Sequence, residues 1–359
     1  MHEGKLQVGI IGIGWWGLTA HAPRLRARSD VELVAIARRR AEALADAQEV
    51  LGGVDAYTDW RELIQRVDLD AVIVATPHHV HTEPVLEALA QGLHVLVEKP
   101  MALRSEDAWA MVAAAEEVDR TLMVGYNRRC AAVWRTVADA LRSGAIGKVR
   151  QLSLSIAYDT QWLWEDGRIP AGMLEMFRRQ GVPESFFGEV LVDFWRQLPE
   201  KSGGGEFADT GSHFVDLALW LGGAPAVEVV ALATSDDLPV ETHVGVQARL
   251  ANDVLVSVSA ADGVPAAAHR LIVYGDGGTL TTSWAGWSGH ETMVYTSEGT
   301  STLESVADSE TTPTDAFIDA IIGNGPNLCT ARDGAQAVAF TEAVYRSAAE
   351  RAFVRIDGP

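Results

Sequence analysis

Hydrophobic and polar positions follow two regimes along the chain. Through residue 125, short runs that are apolar at nearly every position alternate with stretches of helical period: Leu6–Ile11, Val31–Ala37, Asp70–Ala75, His94–Val97 and Thr121–Gly125. Strands without alternation are buried on both faces. Between them, Val85, Leu86 and Leu89 place an apolar stripe on a helix over 81–91, closed by Gly92. Ser105 is expected to cap the next helix. Strand alternating with helix predicts a parallel sheet covered on both faces. A helix is expected over 130–143, and from Gly147 to Tyr158 polar and apolar residues alternate, the mark of a half-exposed strand. Similar runs recur near 226–234, 242–250, 253–260, 270–274, 279–284 and 291–296, some separated by turn signals such as Asn252-Asp253 and Gly275-Asp276-Gly277-Gly278. They predict an open, mostly antiparallel sheet. Helices near 313–323 and 333–350, broken by Asn324-Gly325-Pro326, end the pattern.

The turn after the first strand carries chemistry. Gly12-Ile13-Gly14-Trp15-Trp16-Gly17 is a G-x-G-x-x-G with a strand before it and a helix after it. Gly12 permits the tight turn, Gly14 lets backbone approach a pyrophosphate, and Gly17 allows close helix–strand packing. About 20 residues on, a ribose-binding Asp or Glu is usual; here the second strand runs into Arg38-Arg39-Arg40. Guanidinium groups at that place suit a 2′-phosphate, so NADP is expected, ahead of NAD. The strand at 94–97 delivers Glu98-Lys99-Pro100 where ligands of open α/β sheets bind.

Composition narrows the class. The 359 residues are 48% hydrophobic and 22% charged, and the formal net charge is −20. That balance argues against phosphate-backbone binding, so no nucleic acid is expected. No apolar run approaches the ~20 residues of a membrane span, and none is expected. The first residues have no signal-peptide architecture. Two cysteines, Cys130 and Cys329, make no disulfide framework, which leaves a cytoplasmic location as the expectation. His78, His79 and His81 lack carboxylate or cysteine partners at ligand spacing, so they are read as a loop and helix start, with no metal.

In the second half, Trp162, Trp164 and Trp195 lie among Gly, Pro and charged residues. Indole faces of this kind either hold sugar-type ligands or anchor a long loop; both readings stay open. Gly203-Gly204-Gly205 then opens a stretch in which Asp209, His213 and Asp216 are spaced i, i+4, i+7, which on a continuous helix is one face. The helix is apolar from Phe214 to Leu221, and charges set into it demand partners.

The order and spacing of Gly12-x-Gly14-x-x-Gly17, Ala75-Thr76-Pro77 with His81, Glu98-Lys99-Pro100 and Gly125-Tyr126-Asn127-Arg128 resemble the Gfo/Idh/MocA oxidoreductases. The resemblance implies an N-terminal Rossmann dinucleotide-binding domain (1–127) and a C-terminal α/β domain for substrate binding and oligomerisation (128–359). It implies hydride transfer between NADP(H) and a carbinol or ketone carbon of a sugar, cyclitol or related polyol, by a homodimer or homotetramer. Catalysis would fall to Lys99, Asp209 and His213: His213 takes the hydroxyl proton, Lys99 donates to the same oxygen, and Asp209 orients the substrate or holds the imidazole, with Asp216 a second candidate for that holding role. Cofactor contacts would come from Gly12, Gly14, Trp15, Trp16, Arg38, Arg39, Thr76, Pro77, His81, Glu98, Lys99 and Asn127. Substrate contacts would come from Lys99, Arg128, Tyr158, Trp162, Trp164, Asp209 and His213. Two other classes remain open: a redox-neutral eliminating or glycoside-cleaving enzyme that retains its NAD(P), and a non-catalytic nucleotide-binding regulator.

Overall fold

A computed structural model describes residues 4–164, 169–187, 195–265, 268–285, 288–305, 311–356 and 358. The first sheet contains Leu6–Ile11 (β1), Val31–Ala37 (β2), Asp55–Tyr57 (β3), Ala71–Val74 (β4), His94–Val97 (β5) and Leu122–Val124 (β6). Its order is β3-β2-β1-β4-β5-β6 and every neighbour is parallel. The order reverses between β1 and β4, which opens the crevice where such sheets bind ligands. The edge strand β3 has no apolar run and was not expected from the pattern.

The second sheet contains Val149–Ala157 (β7), Ala226–Thr234 (β8), His243–Leu250 (β9), Leu255–Ala261 (β10), Ala268–Gly275 (β11), Gly278–Ala285 (β12), Ser288–Thr296 (β13), Gly299–Thr302 (β14) and Val354–Arg355 (β15). The order is β14-β13-β12-β11-β7-β10-β9-β8-β15, antiparallel except for the parallel pair β7 and β10. The ends of β7, β10 and β12 and the starts of β9, β11 and β13 therefore share one edge. That edge carries Tyr158, Glu241, Asp262, His269, Trp284 and His290.

The two halves share more than a covalent junction. The helices Pro313–Ile322 and Ala331–Glu350 each begin with a capping box, Thr312 with Asp315 and Thr330 with Asp333. Between them the chain returns to β6, where the Val124 amide donates to the Cys329 carbonyl at 3.0 Å and Asn327 donates to Leu122. Gly334 is required at this seam, since a Cβ there would lie 2.5 Å from Val124 Cγ2. Residues 169–187 also reach across: Ile169, Phe177, Val182, Phe186 and Phe187 join the core formed by Leu18, Ile36 and Leu44.

Two local expectations are corrected. Ser105 is the first helical residue of Ser105–Glu117 rather than its cap; Arg104 precedes it, and the Ser105 amide donates to Glu342. The helix expected over 130–143 is a 3₁₀ turn, Asn127–Cys130, followed by Ala132–Arg142, because Ala131 between them is extended. Among the described residues, no helix is long and apolar enough to cross a membrane.

Candidate functional site

The glycine turn fits a dinucleotide. Gly12 has φ +87°, and a Cβ on it would lie 2.7 Å from the Thr76 backbone nitrogen, so neither its conformation nor its space admits another residue. A Cβ on Gly17 would lie 3.2 Å from the Gly12 carbonyl. Gly14 is different: a Cβ there meets nothing nearer than the Gly12 carbonyl at 3.9 Å, so its bare backbone faces open space. Trp15 donates its indole N–H to Gln180 and packs at a tilt 4.9 Å from the Phe177 ring, and Trp16 donates to Glu98 at 3.0 Å. Thr76 and Pro77 lie half-buried at the end of β4, against that turn, and Asn127 is half-buried after β6.

Arg38 is nearly buried at the end of β2. Its guanidinium donates to the Ile13 carbonyl at 2.5 Å and lies 3.7 Å above the Phe186 ring. It stands beside the glycine turn with one face already covered, while Arg39 next to it is exposed. His81 does not face the crevice. It is fully buried, with Nδ1 at 2.9 Å from the Pro100 carbonyl and Nε2 at 2.8 Å from the Thr76 carbonyl. That corrects the expectation of a cofactor contact: the ring braces the β4 and β5 loops against each other.

After β5, Glu98 accepts from the Trp16 indole, lies 3.2 Å from His21 Nε2, and takes the Lys99 amide at 3.3 Å. Burial alone would raise this carboxyl, but His21, Lys99 and Trp16 together hold it below its ordinary value. Gly125 makes room, since a Cβ there would lie 2.6 Å from Glu98 Oε1. Lys99 Nζ reaches across to the second half and donates to Asp209 Oδ1 at 2.5 Å and to the Asp209 carbonyl at 3.1 Å.

Asp209, His213 and Asp216 do not share one helix. Glu206–Asp209 is a separate turn, and the helix Ser212–Gly222 begins after Thr210-Gly211. Gly211 lies so close to Phe207 that a Cβ would sit 2.5 Å from its carbonyl oxygen. The three side chains take different partners. Asp209 holds Lys99 and accepts from Arg196 Nε at 2.9 Å, so it does not hold the imidazole. Burial would raise the Asp209 carboxyl, yet Lys99, Arg196 and His78 keep it well below the carboxylate range. Asp216 is taken by Arg129, with Nε at 2.9 Å from Oδ2 and Nη2 at 2.8 Å from Oδ1. Burial pushes its carboxyl up to about 6 against the pull of that guanidinium. Asp216 is thus a structural partner, and the expectation that it steadies His213 is corrected.

His213 is 7% exposed, and its Nδ1 has no hydrogen-bond partner. Burial, then the charges of Lys99 and Arg128, hold the imidazole well below its ordinary value against the opposing pull of Asp209. It is a neutral base at neutral pH. On its far side, Arg128 donates to the Tyr158 hydroxyl at 2.9 Å and lies 4.1 Å over Phe214. Burial pushes the Tyr158 phenol up to about 12. Trp162 is half-buried against the first core, as a packing residue would be. Trp164 is completely buried and donates to Asp262 at 3.0 Å, which corrects its assignment as a substrate contact.

Sequence reasoning missed several neighbours. His78 is buried, 4.0 Å from Asp209, with its imidazole pulled down to about 3 by burial first. Glu206 Oε2 lies 2.9 Å from the Thr160 hydroxyl, and burial, then Asp262 and Asp209, push its carboxyl well above the usual range. Glu241 takes the Gly205 amide at 2.8 Å, the Phe207 amide at 3.0 Å and the Tyr345 hydroxyl at 2.7 Å, fixing the turn that presents Asp209. The one available sequence signal was Gly203-Gly204-Gly205, since a Cβ on Gly204 would lie 2.1 Å from the Tyr345 hydroxyl.

A parallel sheet with an open glycine turn, and a charged cluster in which Lys99 of the first half meets Asp209 of the second, define a dinucleotide-binding protein. The chain matches the family model described as "Oxidoreductase family, NAD-binding Rossmann fold" over residues 6–126 and "Oxidoreductase family, C-terminal alpha/beta domain" over 173–356; it belongs to the Gfo/Idh/MocA oxidoreductase family. It is 34% identical over 150 residues to a myo-inositol 2-dehydrogenase of Thermotoga maritima, covering 42% of this chain and 45% of that one. It is 30% identical over 298 residues to a putative UDP-kanosamine synthase oxidoreductase subunit of Amycolatopsis mediterranei, covering 82% and 73%. A solved levoglucosan dehydrogenase, complexed with NADH and levoglucosan, shares the fold with a TM-score of 0.80 at 22% identity, covering 99% of this chain and 100% of that one. The match to the first of these curated relatives thus spans less than half its length.

Proposed function

We propose that the protein is an NAD(P)-dependent oxidoreductase that moves hydride between the nicotinamide and a CH–OH carbon of a sugar, cyclitol or related polyol. The observation that carries the reading is His213: a buried, neutral imidazole with an unengaged ring nitrogen, set beside an ammonium that a buried carboxylate holds in place. When bound, the cofactor supplies the hydride acceptor or donor. His213 takes the proton of the substrate hydroxyl as the carbon gives up hydride. Lys99 donates a hydrogen bond to the same oxygen and offsets its developing negative charge. Asp209 keeps Nζ aimed, and Glu98 would contact the nicotinamide-side ribose of a bound cofactor. The same groups act in reverse when a ketone is reduced.

The finer cofactor choice we propose is NADP, on the strength of Arg38 and Arg39 where NAD-binding chains carry an acid. The reading rests on a division near residue 127 into dinucleotide-binding and substrate-binding parts. Assembly as a homodimer or homotetramer would cover the outer face of the second sheet, where Leu232 is 74% exposed and Tyr274 and Tyr295 stand out. The reading is tested by following absorbance at 340 nm with a panel of aldoses, inositols and 1,5-anhydro sugars and each oxidised cofactor. A rise with at least one polyol supports it. Turnover of a glycoside without any net change at 340 nm would favour the redox-neutral class instead.

A further inference from the structure

The turn that presents Asp209 is fixed from two directions. Glu241, just before β9, accepts the Gly205 and Phe207 amides and so holds its backbone. Glu206, the first residue of the turn, is 1% exposed and reaches the other way, toward the ends of β7 and β10. There Thr160 Oγ1 lies 2.9 Å from Glu206 Oε2 and 3.1 Å from Asp262 Oδ1. A single hydroxyl stands between two buried carboxyl groups.

A hydroxyl has one proton to donate. Two ionised carboxylates can only accept, so one of these short contacts would set lone pairs against lone pairs. One carboxyl therefore carries a proton. The surroundings decide which. Asp262 takes the Thr160 amide at 2.7 Å and the Gly263 amide at 2.8 Å on Oδ1, and the Trp164 indole N–H at 3.0 Å on Oδ2. Such donors favour the charged form. Glu206 has no comparable set, and its Oε1 is buried without a hydrogen-bond partner. Burial, then the charges of Asp262 and Asp209, favour its neutral form over the pull of the Thr160 and Thr210 hydroxyls.

The groups on the surrounding elements do not reverse this. At the end of β7, Tyr158 is a neutral phenol that accepts from Arg128. Beside β9, Glu241 is engaged by Tyr345, and His243 lies 3.7 Å from Asp236. On the helix Ser212–Gly222, His213 is neutral and Asp216 belongs to Arg129. Lys99 and Arg196 are bound by Asp209. Among the described residues, none of these cations pairs with Glu206.

We infer that Glu206 works as a neutral acid and is a positioning residue: its O–H donates to Thr160, and Thr160 donates to Asp262. This chain ties the turn bearing Asp209, and through it Lys99 Nζ, to the ends of β7 and β10. Glu206 acts through Asp209 rather than on the reacting carbon. Its ionisation would leave two charged acceptors around one hydroxyl and release the turn. The effect on turnover rests on the dehydrogenase reading above; the protonation does not.

The test is infrared spectroscopy of the full chain in the carboxylic-acid C=O region at pH 7, wild type against Glu206→Gln. Turnover at 340 nm is read alongside, with whichever of myo-inositol, glucose and 1,5-anhydroglucitol the wild type oxidises. We expect a carboxylic band in the wild type that is missing from Glu206→Gln. Glu206→Ala should lower kcat about tenfold or more, and Glu206→Gln, which keeps a neutral donor, should restore most of it. As pH rises, the ratio of wild-type to Glu206→Gln turnover should hold while the wild-type band persists and fall as the band is lost. The inference is overturned if the two spectra share the same band or lack it, if Gln is as impaired as Ala, if Ala turns over like wild type, or if the ratio stays constant through loss of the band. Where Glu206→Ala fails to fold, the band and the pH ratio decide. No turnover of any of the three compounds would remove the dehydrogenase reading, while the band alone would still decide the protonation.

Discussion

Replacing Asp209 by Asn isolates the contact on which the site is built. The amide keeps an oxygen for Lys99 Nζ but removes the charge that Lys99 and Arg196 both face, now 2.5 Å and 2.9 Å away. Neutralising one member of a fully buried pair costs about 3–5 kcal/mol. Here the Asp209 side chain is 9% exposed, while Lys99 and Arg196 are 15% and 34% exposed, so water recovers part of the loss. About 1–3 kcal/mol is expected. The pH dependence follows from the depressed carboxyl of Asp209. A group whose folded value lies below its unfolded value of about 3.9 stabilises the protein above that pH and loses the contribution as pH falls through the folded value. The difference between wild type and Asp209→Asn should thus be full at pH 7 and shrink below about pH 4. Urea unfolding at pH 7 and pH 3.5, followed by tryptophan fluorescence, reads both points. Turnover should fall about 100-fold, because Lys99 loses its alignment. Equal midpoints at pH 7, or an undiminished difference at pH 3.5, would refute the reasoning.

Other outcomes separate structural from chemical roles. Asp216→Asn leaves the buried Arg129 guanidinium with only the Asp333 carboxylate at 3.3 Å to balance it, so stability should fall by about 1–3 kcal/mol while the pH profile of the surviving activity keeps its shape; a shifted profile would return Asp216 to the acid–base machinery. Gly12→Ala should cost stability, since its Cβ would collide with Thr76 at 2.7 Å. Gly14→Ala should unfold like wild type yet bind dinucleotide about tenfold or more weakly, read by nucleotide titration; unchanged binding would refute the cradle. Because His213 stays neutral well below its ordinary value, oxidation should hold steady from pH 8 down through 6.5 and decline only when the imidazole protonates in more acidic solution; a midpoint near 6.5 would mean that burial does not control the group. NADPH should bind more tightly than NADH, measured by fluorescence titration, and the reverse order would remove Arg38 from the argument.

The fold was legible because its signals are local. Runs apolar at nearly every position mark β1, β2, β4, β5 and β6, polar–apolar alternation marks most of β7 to β13, and the glycine turn follows β1 without a gap. The short strand β3 left no pattern, as its residues are half-exposed. The family resemblance put Lys99 and Asp209 in one site, and they meet across 110 residues. Spacing misled at Asp216, which shares a helix with His213 three residues away yet gives its carboxylate to Arg129 from a distant segment. The remaining contacts depend on packing between distant segments. Glu241 meets Tyr345 across 104 residues, Arg129 meets Asp216 across 87, and Trp164 meets Asp262 across 98. Neither a period nor a motif encodes such pairs. Trp164 shows the cost of composition alone, since an indole near a sugar site and an indole sealed in a core look the same in a sequence.

The most direct measurement is a single-turnover reaction of NADP-loaded protein with a polyol that the wild type oxidises, followed at 340 nm, for wild type and His213→Asn. The account predicts that the variant binds cofactor as wild type does but forms reduced cofactor at least about 100-fold more slowly. Equal rates in the two proteins would contradict it.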